Sequence, residues 1–204
     1  MIINIKNEDA IENLRLKILW TRHENGIPWD RVVNADQIAV RMLPTSDLGW
    51  GATGRRCKWL ADAKTQVTCM LCVGTQPGSM TMAQIIFGGK TNRVLPTGPH
   101  AANIAVAHTQ SHWSSVDTML DLIAELNKRM NPEGDHLDWI LVLDVAPVHC
   151  SVEFRWRVYA EWPWVHLVYV PARFTGVAQP VDVAFGRTFF VVIWFICFWL
   201  LFIF

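Results

Sequence analysis

Three aspartates stand where an acid is costly. Asp36 interrupts the apolar run from Val32 to Val40, Asp144 closes Trp139-Ile140-Leu141-Val142-Leu143, and Asp182 follows Gln179-Pro180 where a helix should begin. A carboxylate inside or at the end of an apolar strand is expensive to desolvate unless something compensates it. No Lys or Arg lies close to Asp144 in sequence, so its partner must come from the fold or be a metal ion. Acids at the ends of adjacent central strands repel one another, and hard divalent cations that prefer oxygen relieve the repulsion. Two such ions about 3.5–4 Å apart can activate a water and stabilise the leaving oxygen in phosphodiester cleavage. Each acid taken singly also reads as a capped or salt-bridged structural Asp. The three together, in this order, favour a metal site.

The elements that must position these acids follow from the hydrophobic pattern. Apolar residues at Ile11, Leu14, Ile18 and Leu19 with charges between them predict an amphipathic helix over Ala10 to Trp20. Arg31 to Val40 reads as a strand, and Thr45 to Cys57, rich in Gly, as a loop. Gln66 to Val73 and Met80 to Phe87 form a hairpin through a turn at Gln76-Pro77-Gly78. Thr91 to His112 is irregular. Ser114, as N-cap with Asp117 at N3, starts a helix that Asn131-Pro132-Glu133-Gly134 stops. Leu137 to Leu143 is a strand buried on both faces, Ser151 to Glu161 a helix, and Val165 to Val170 a second buried strand. Arg173 to Pro180 is a loop, and a last helix begins near Val181. A meander of three strands followed by two parallel crossovers is an α/β layer fold of the ribonuclease H-like type, a mixed five-stranded sheet flanked by helices.

Composition bounds the rest. The chain has 204 residues, 51% hydrophobic and 18% charged, which suits one folded domain and excludes a disordered chain. Lys and Arg balance Asp and Glu at 18 each, so nucleic-acid binding requires a local basic patch or a further domain. The five Cys do not form a secreted disulfide framework, and the N-terminus has no apolar signal segment; the chain reads as intracellular.

In several segments the sequence resembles the DDE superfamily endonuclease domain of mariner/pogo-type transposases, a group that includes centromere-protein-B-like relatives. Val33-Asn34-Ala35-Asp36-Gln37 with Leu43-Pro44-Thr45 is similar to the stretch around that family's first catalytic aspartate. Val67 to Phe87 followed by Gly88-Gly89-Lys90-Thr91 resembles its second and third strands, and Leu143-Asp144-Val145-Ala146-Pro147-Val148-His149 the segment of the second aspartate. Val168 to Ala172 and Thr175 to Asp182 are similar to the region of the third, with thirty-seven residues between Asp144 and Asp182. The match runs from Ile27 to Arg187. It implies a ribonuclease H-like core over residues 27–187, preceded by a helical segment over 1–26, that cuts and transfers DNA strands with two Mg²⁺ ions, Mn²⁺ serving as substitute. Asp36, Asp144 and Asp182 would be both catalytic residues and metal ligands, with His149 and Gln179 near them. DNA as partner, a homodimer and a nuclear location are implied in the same way. Val145 stands where many members carry Asn, and the helix-turn-helix domains that normally precede this core have no counterpart in the first thirty residues.

Arg55, Arg56 and Lys58 in a Gly-rich stretch, with Lys90, Arg93 and Arg173, are candidates for contact with a DNA backbone. Solvated turns are the competing reading. Cys69 and Cys72 have CxxC spacing, but three residues apart on a strand they face opposite sides, against a zinc or redox pair. His108 and His112 lie in a stretch with no completing acid. Trp156, Trp162 and Trp164 read as packing residues. From Phe189 to Phe204 no side chain is charged; a helix of that length spans about 24 Å against a hydrocarbon core of roughly 30 Å. Three readings of residues 188–204 stand: a membrane anchor, a buried terminal element, or a non-native end left by truncation or a shifted frame. The last implies a core impaired in catalysis. A module that binds nucleic acid without cleaving it is the alternative function, and a small membrane-anchored protein the other.

Overall fold

The computed structural model describes residues 5–41, 48–50, 56–58, 66–75, 81–98 and 100–174. Asp182, Gln179, Arg55, the turn at 76–78, the helix expected near 181 and the apolar tail 189–204 lie outside these residues. So do the side chains of Arg56 and Lys58, whose backbone is described. No helix among the described residues is long and apolar enough to cross a membrane.

A six-stranded mixed sheet forms the middle layer. Its strands are β1 (Val32–Arg41), β4 (Gln66–Gly74), β5 (Thr81–Gly88), β6 (Ile104–Thr109), β7 (Trp139–Asp144) and β8 (Val165–Val170), in the order β6-β5-β4-β1-β7-β8. β4 runs antiparallel to β1 and β5, while β5–β6, β1–β7 and β7–β8 pair in parallel. The C-terminal ends of β1, β5, β6, β7 and β8 therefore share one end of the sheet. β2 (Leu48–Trp50) and β3 (Arg56–Lys58) make a separate antiparallel pair.

Helices cover both faces. α2 (Val116–Met130) and α4 (Val152–Glu161) lie on one, α1 (Ile5–Glu24) on the other. β7 is buried on both sides, so its residues alternate between two cores. Trp139, Leu141 and Leu143 join Met119, Leu122, Ile123, Leu126 and Phe154, whereas Ile140 and Val142 join Leu14, Ile27 and Val168. Each fully buried Leu or Ile contributes about 1.5–3 kcal/mol. The apolar residues of α2 repeat every three or four positions and so form one stripe toward the sheet. Asn127 pins that helix: its Oδ1 accepts from Trp164 Nε1 at 2.7 Å, Asn131 Nδ2 at 3.0 Å and Trp139 Nε1 at 3.3 Å.

The structure corrects four expectations. The sheet has six strands rather than five, because Ile104–Thr109, read as irregular, is an edge strand beside β5. An edge strand pairs on one side only, and its residues are half-buried throughout, so it lacks the burial alternation that marks a strand in sequence. Five residues of the predicted loop 45–57, and Lys58 beyond it, pair as β2 and β3, a ladder too short to override its Gly signals. The cap of α2 is Ser115, not Ser114: its Oγ accepts from the Thr118 amide while the Thr118 hydroxyl accepts from the Ser115 amide. Ser114 Oγ instead donates to Gln37 Oε1 at 2.6 Å. Trp156 is 64% exposed on α4 rather than packed.

Candidate metal centre

Parallel pairing of β1 with β7 matches Val32 to Ile140, Val33 to Leu141 and Asn34 to Val142. Asp36 lies two residues past Asn34, and Asp144 two past Val142. Side chains alternate along a strand, so both acids share the face that carries Val32, Ile140 and Val142. Neighbouring strands run about 4.8 Å apart. The two carboxylates thus issue from adjacent strands at one level, where β7 ends and β1 continues along β4. That is a switch point, with sequential connections leaving to opposite sides, and open α/β sheets bind ligands in such a crevice. Asn34 Nδ2 clamps the pair of strands by donating to Val142 O at 3.3 Å.

The two acids differ in setting. Asp36 is 7% exposed, and its Oδ1 accepts from the Gln37 amide at 2.8 Å. Asp144 is half-buried and meets His149, whose Nδ1 is 2.6 Å from Asp144 Oδ1. The His149 hydrogen bond holds the Asp144 carboxyl below the usual carboxylate range against desolvation, and the Ala146 amide adds to it. α3 (Pro147–Cys150) makes this possible: one helical turn follows the strand directly, with Pro147 fixing its first φ. His149 is fully buried, and its carbonyl accepts from the Tyr169 hydroxyl at 2.8 Å.

As a donor set, two ionisable carboxylates on one rim suit a hard divalent cation. The described residues bring two of the three predicted ligands together. Among them no group of three His, Cys, Asp or Glu side chains converges. Asp182 and Gln179 lie outside the described residues.

The other predicted residues separate. Arg173, exposed and at φ 74°, comes three residues after Val170, which pairs directly with Asp144. It is the predicted phosphate contact whose register is nearest to the acids among the described residues. Lys90 and Arg93 are exposed at the same end of the sheet but farther out. Asp36 is level with Leu71, and Leu71 with Ala83, so the five residues on to Gly88 carry the end of β5 about 17 Å beyond the acids. Cys69 and Cys72 enter different cores, as opposite faces require. His108 is held by Gly89 O at 3.2 Å and Asn92 Oδ1 at 2.8 Å. Sequence reasoning missed Tyr169 altogether. Its partner is an atom of the main chain twenty residues away, which leaves no trace in spacing.

No family model matches the chain, and no curated protein sequence matches it. Solved structures do. The crystal structure of the catalytic domain of Mos1 mariner transposase aligns with a TM-score of 0.54 over 94% of this chain and 74% of that one, at 14% identity. The chain shares its fold with a mariner transposase catalytic domain. A pre-cleavage Mos1 transpososome gives 0.54 at 14% identity over 94% of this chain and 51% of that one. The Mos1 mariner paired end complex with Mn gives 0.53 at 13% identity over 93% and 49%. The chain therefore spans about three quarters of the mariner catalytic-domain structure and about half of the transposase chains in those complexes. Expectation and structure agree on the ribonuclease H-like architecture.

Proposed function

We propose that the chain is the nuclease core of a mariner-type DDE transposase or of a protein derived from one, acting on DNA phosphodiester bonds with divalent metal. The observation that carries this reading is the placement of Asp36 and Asp144 at one level on adjacent central strands of a mariner-type fold. Mg²⁺, or Mn²⁺ in its place, would be held by Asp36 and Asp144 together with Asp182, and would supply Lewis-acid activation of water and stabilisation of the leaving oxygen. The Mos1 catalytic domain has been solved with Mg and with Mn, and the Mos1 transposase as a strand transfer complex.

The chain's own residues prepare that chemistry. The hydrogen bond from His149 favours the ionised form of Asp144, which is the form that binds a cation. Asp36 is set on a strand clamped by Asn34 and Gln37, which keeps its reach short and fixed. Arg173, three residues past the partner of Asp144, is suited to a phosphate beside the scissile bond. Lys90 and Arg93, about 17 Å or more away along the strand direction, suit flanking phosphates. Arg55, Arg56 and Lys58 complete the set of proposed backbone contacts. A homodimer and a nuclear location belong to the same reading.

The test is nicking of supercoiled plasmid by the full chain with Mg²⁺ or Mn²⁺, beside Asp144→Asn. Metal-dependent nicking absent from the variant supports the proposal. Salt-sensitive DNA binding indifferent to Mg²⁺, without nicking, would replace it with a nucleic-acid-binding core.

A further inference from the structure

His149 contributes two contacts from a site with no solvent. It is 0% exposed, and its ring lies 6.3 Å from that of Phe154. Nδ1 sits 2.6 Å from Asp144 Oδ1, and Nε2 has no hydrogen-bond partner among the described residues. A proton on Nδ1 is used by the carboxylate, whereas a proton on Nε2 would be buried without an acceptor, at a cost of about 1–3 kcal/mol. The geometry assigns a proton to Nδ1, facing the carboxylate. Main-chain geometry completes the link. Tyr169 faces Leu143 across β7–β8 pairing, and its hydroxyl donates to the His149 carbonyl at 2.8 Å. Strand end, single-turn helix and neighbouring strand are thereby joined through three side chains.

We infer that His149 is a positioning residue: it fixes the rotamer of Asp144, and Tyr169 fixes His149. An aspartate at a strand end samples several staggered rotamers, and only some aim an oxygen into the crevice beside Asp36. A donor locked in the core selects one without itself reaching a cation or DNA. This inference rests on the reading of Asp144 as a metal ligand.

The test is calorimetric Mn²⁺ titration of the full chain and three variants, each checked for folding by circular dichroism. His149→Phe keeps an aromatic ring and removes the donor; Mn²⁺ affinity falls tenfold or more, within the 10–100-fold range for partners of metal ligands. His149→Asn places an amide N–H where Nδ1 was and sacrifices ring volume. It melts at lower temperature yet retains affinity within about threefold of wild type, a rescue that a purely structural histidine would not show. Wild-type affinity in folded His149→Phe overturns the inference and leaves Asp144 as a ligand. If His149→Phe does not fold, Tyr169→Phe decides: a severalfold weaker affinity supports the brace, and an unchanged one overturns it. No binding by wild type overturns the metal site and the inference together.

Discussion

Asp36 and Asp144 stand at the same level on two adjacent parallel strands, each two residues beyond the last matched pair, Asn34 and Val142. Their closeness follows from register, not from sequence distance. A one-residue slip of β7 against β1 would turn Asp144 to the opposite face. The register is held by the packing of Ile140 and Val142 on one side and Leu141 and Leu143 on the other.

That dependence makes α2 and its anchor matter for the site. Asn127 satisfies two indole N–H groups, those of Trp139 at the start of β7 and Trp164 just before β8. Asn127→Ala leaves them without that acceptor, and we expect a loss on the order of 1–3 kcal/mol. Urea unfolding monitored by tryptophan fluorescence measures it. A variant as stable as wild type would mean the network carries no weight.

Burial of the sheet has a chemical signature. Cys69 is buried in β4, and desolvation pushes its thiol from 9.0 up to about 11, while Cys150 is exposed. Alkylation of the native protein at pH 8 should mark Cys150 and spare Cys69 and Cys72, as read by peptide mass mapping. The sign of the accompanying pH effect is fixed. Because the folded value lies above the unfolded one, Cys69 contributes stability that is whole below pH 9 and is lost as pH rises through about 11. The urea midpoint should fall across that window, and fall less in Cys69→Ala. Rapid native labelling of Cys69 would contradict the burial.

Arg173 and the pair Lys90 and Arg93 should differ in what they do. Each Ala substitution should weaken binding to duplex DNA similarly for all sequences and lower the salt slope by about 1. Fluorescence anisotropy at several salt concentrations reads both. Only Arg173→Ala should also slow metal-dependent nicking at saturating DNA, since it follows Val170, the strand partner of Asp144, by three residues. Equal nicking defects in all three variants would contradict the division into scissile and flanking contacts.

Much of this fold was legible in sequence because it is written in two-sided burial. Trp139 to Leu143 is apolar without interruption, so both the strand and the cost of Asp144 at its end could be read directly. β6 was not legible because an edge strand packs on few neighbours, and Ser115 lost its role to Ser114 because either hydroxyl satisfies the cap pattern. The acids could be named, and the meander with two crossovers already put their strands side by side. The level at which they meet depends on a parallel register that no local pattern encodes. His149 was visible as a neighbour five residues on. Its hydrogen bond was not, since it depends on Pro147 starting a single turn.

The central claim is that Asp144 belongs to an assembled carboxylate centre, and Mn²⁺ titration of the full chain beside Asp144→Asn tests it most directly. The account predicts saturable Mn²⁺ binding by wild type that is weakened at least tenfold in a variant with unchanged circular dichroism. Equal Mn²⁺ affinity in the two proteins, or none in a folded wild type, would contradict it.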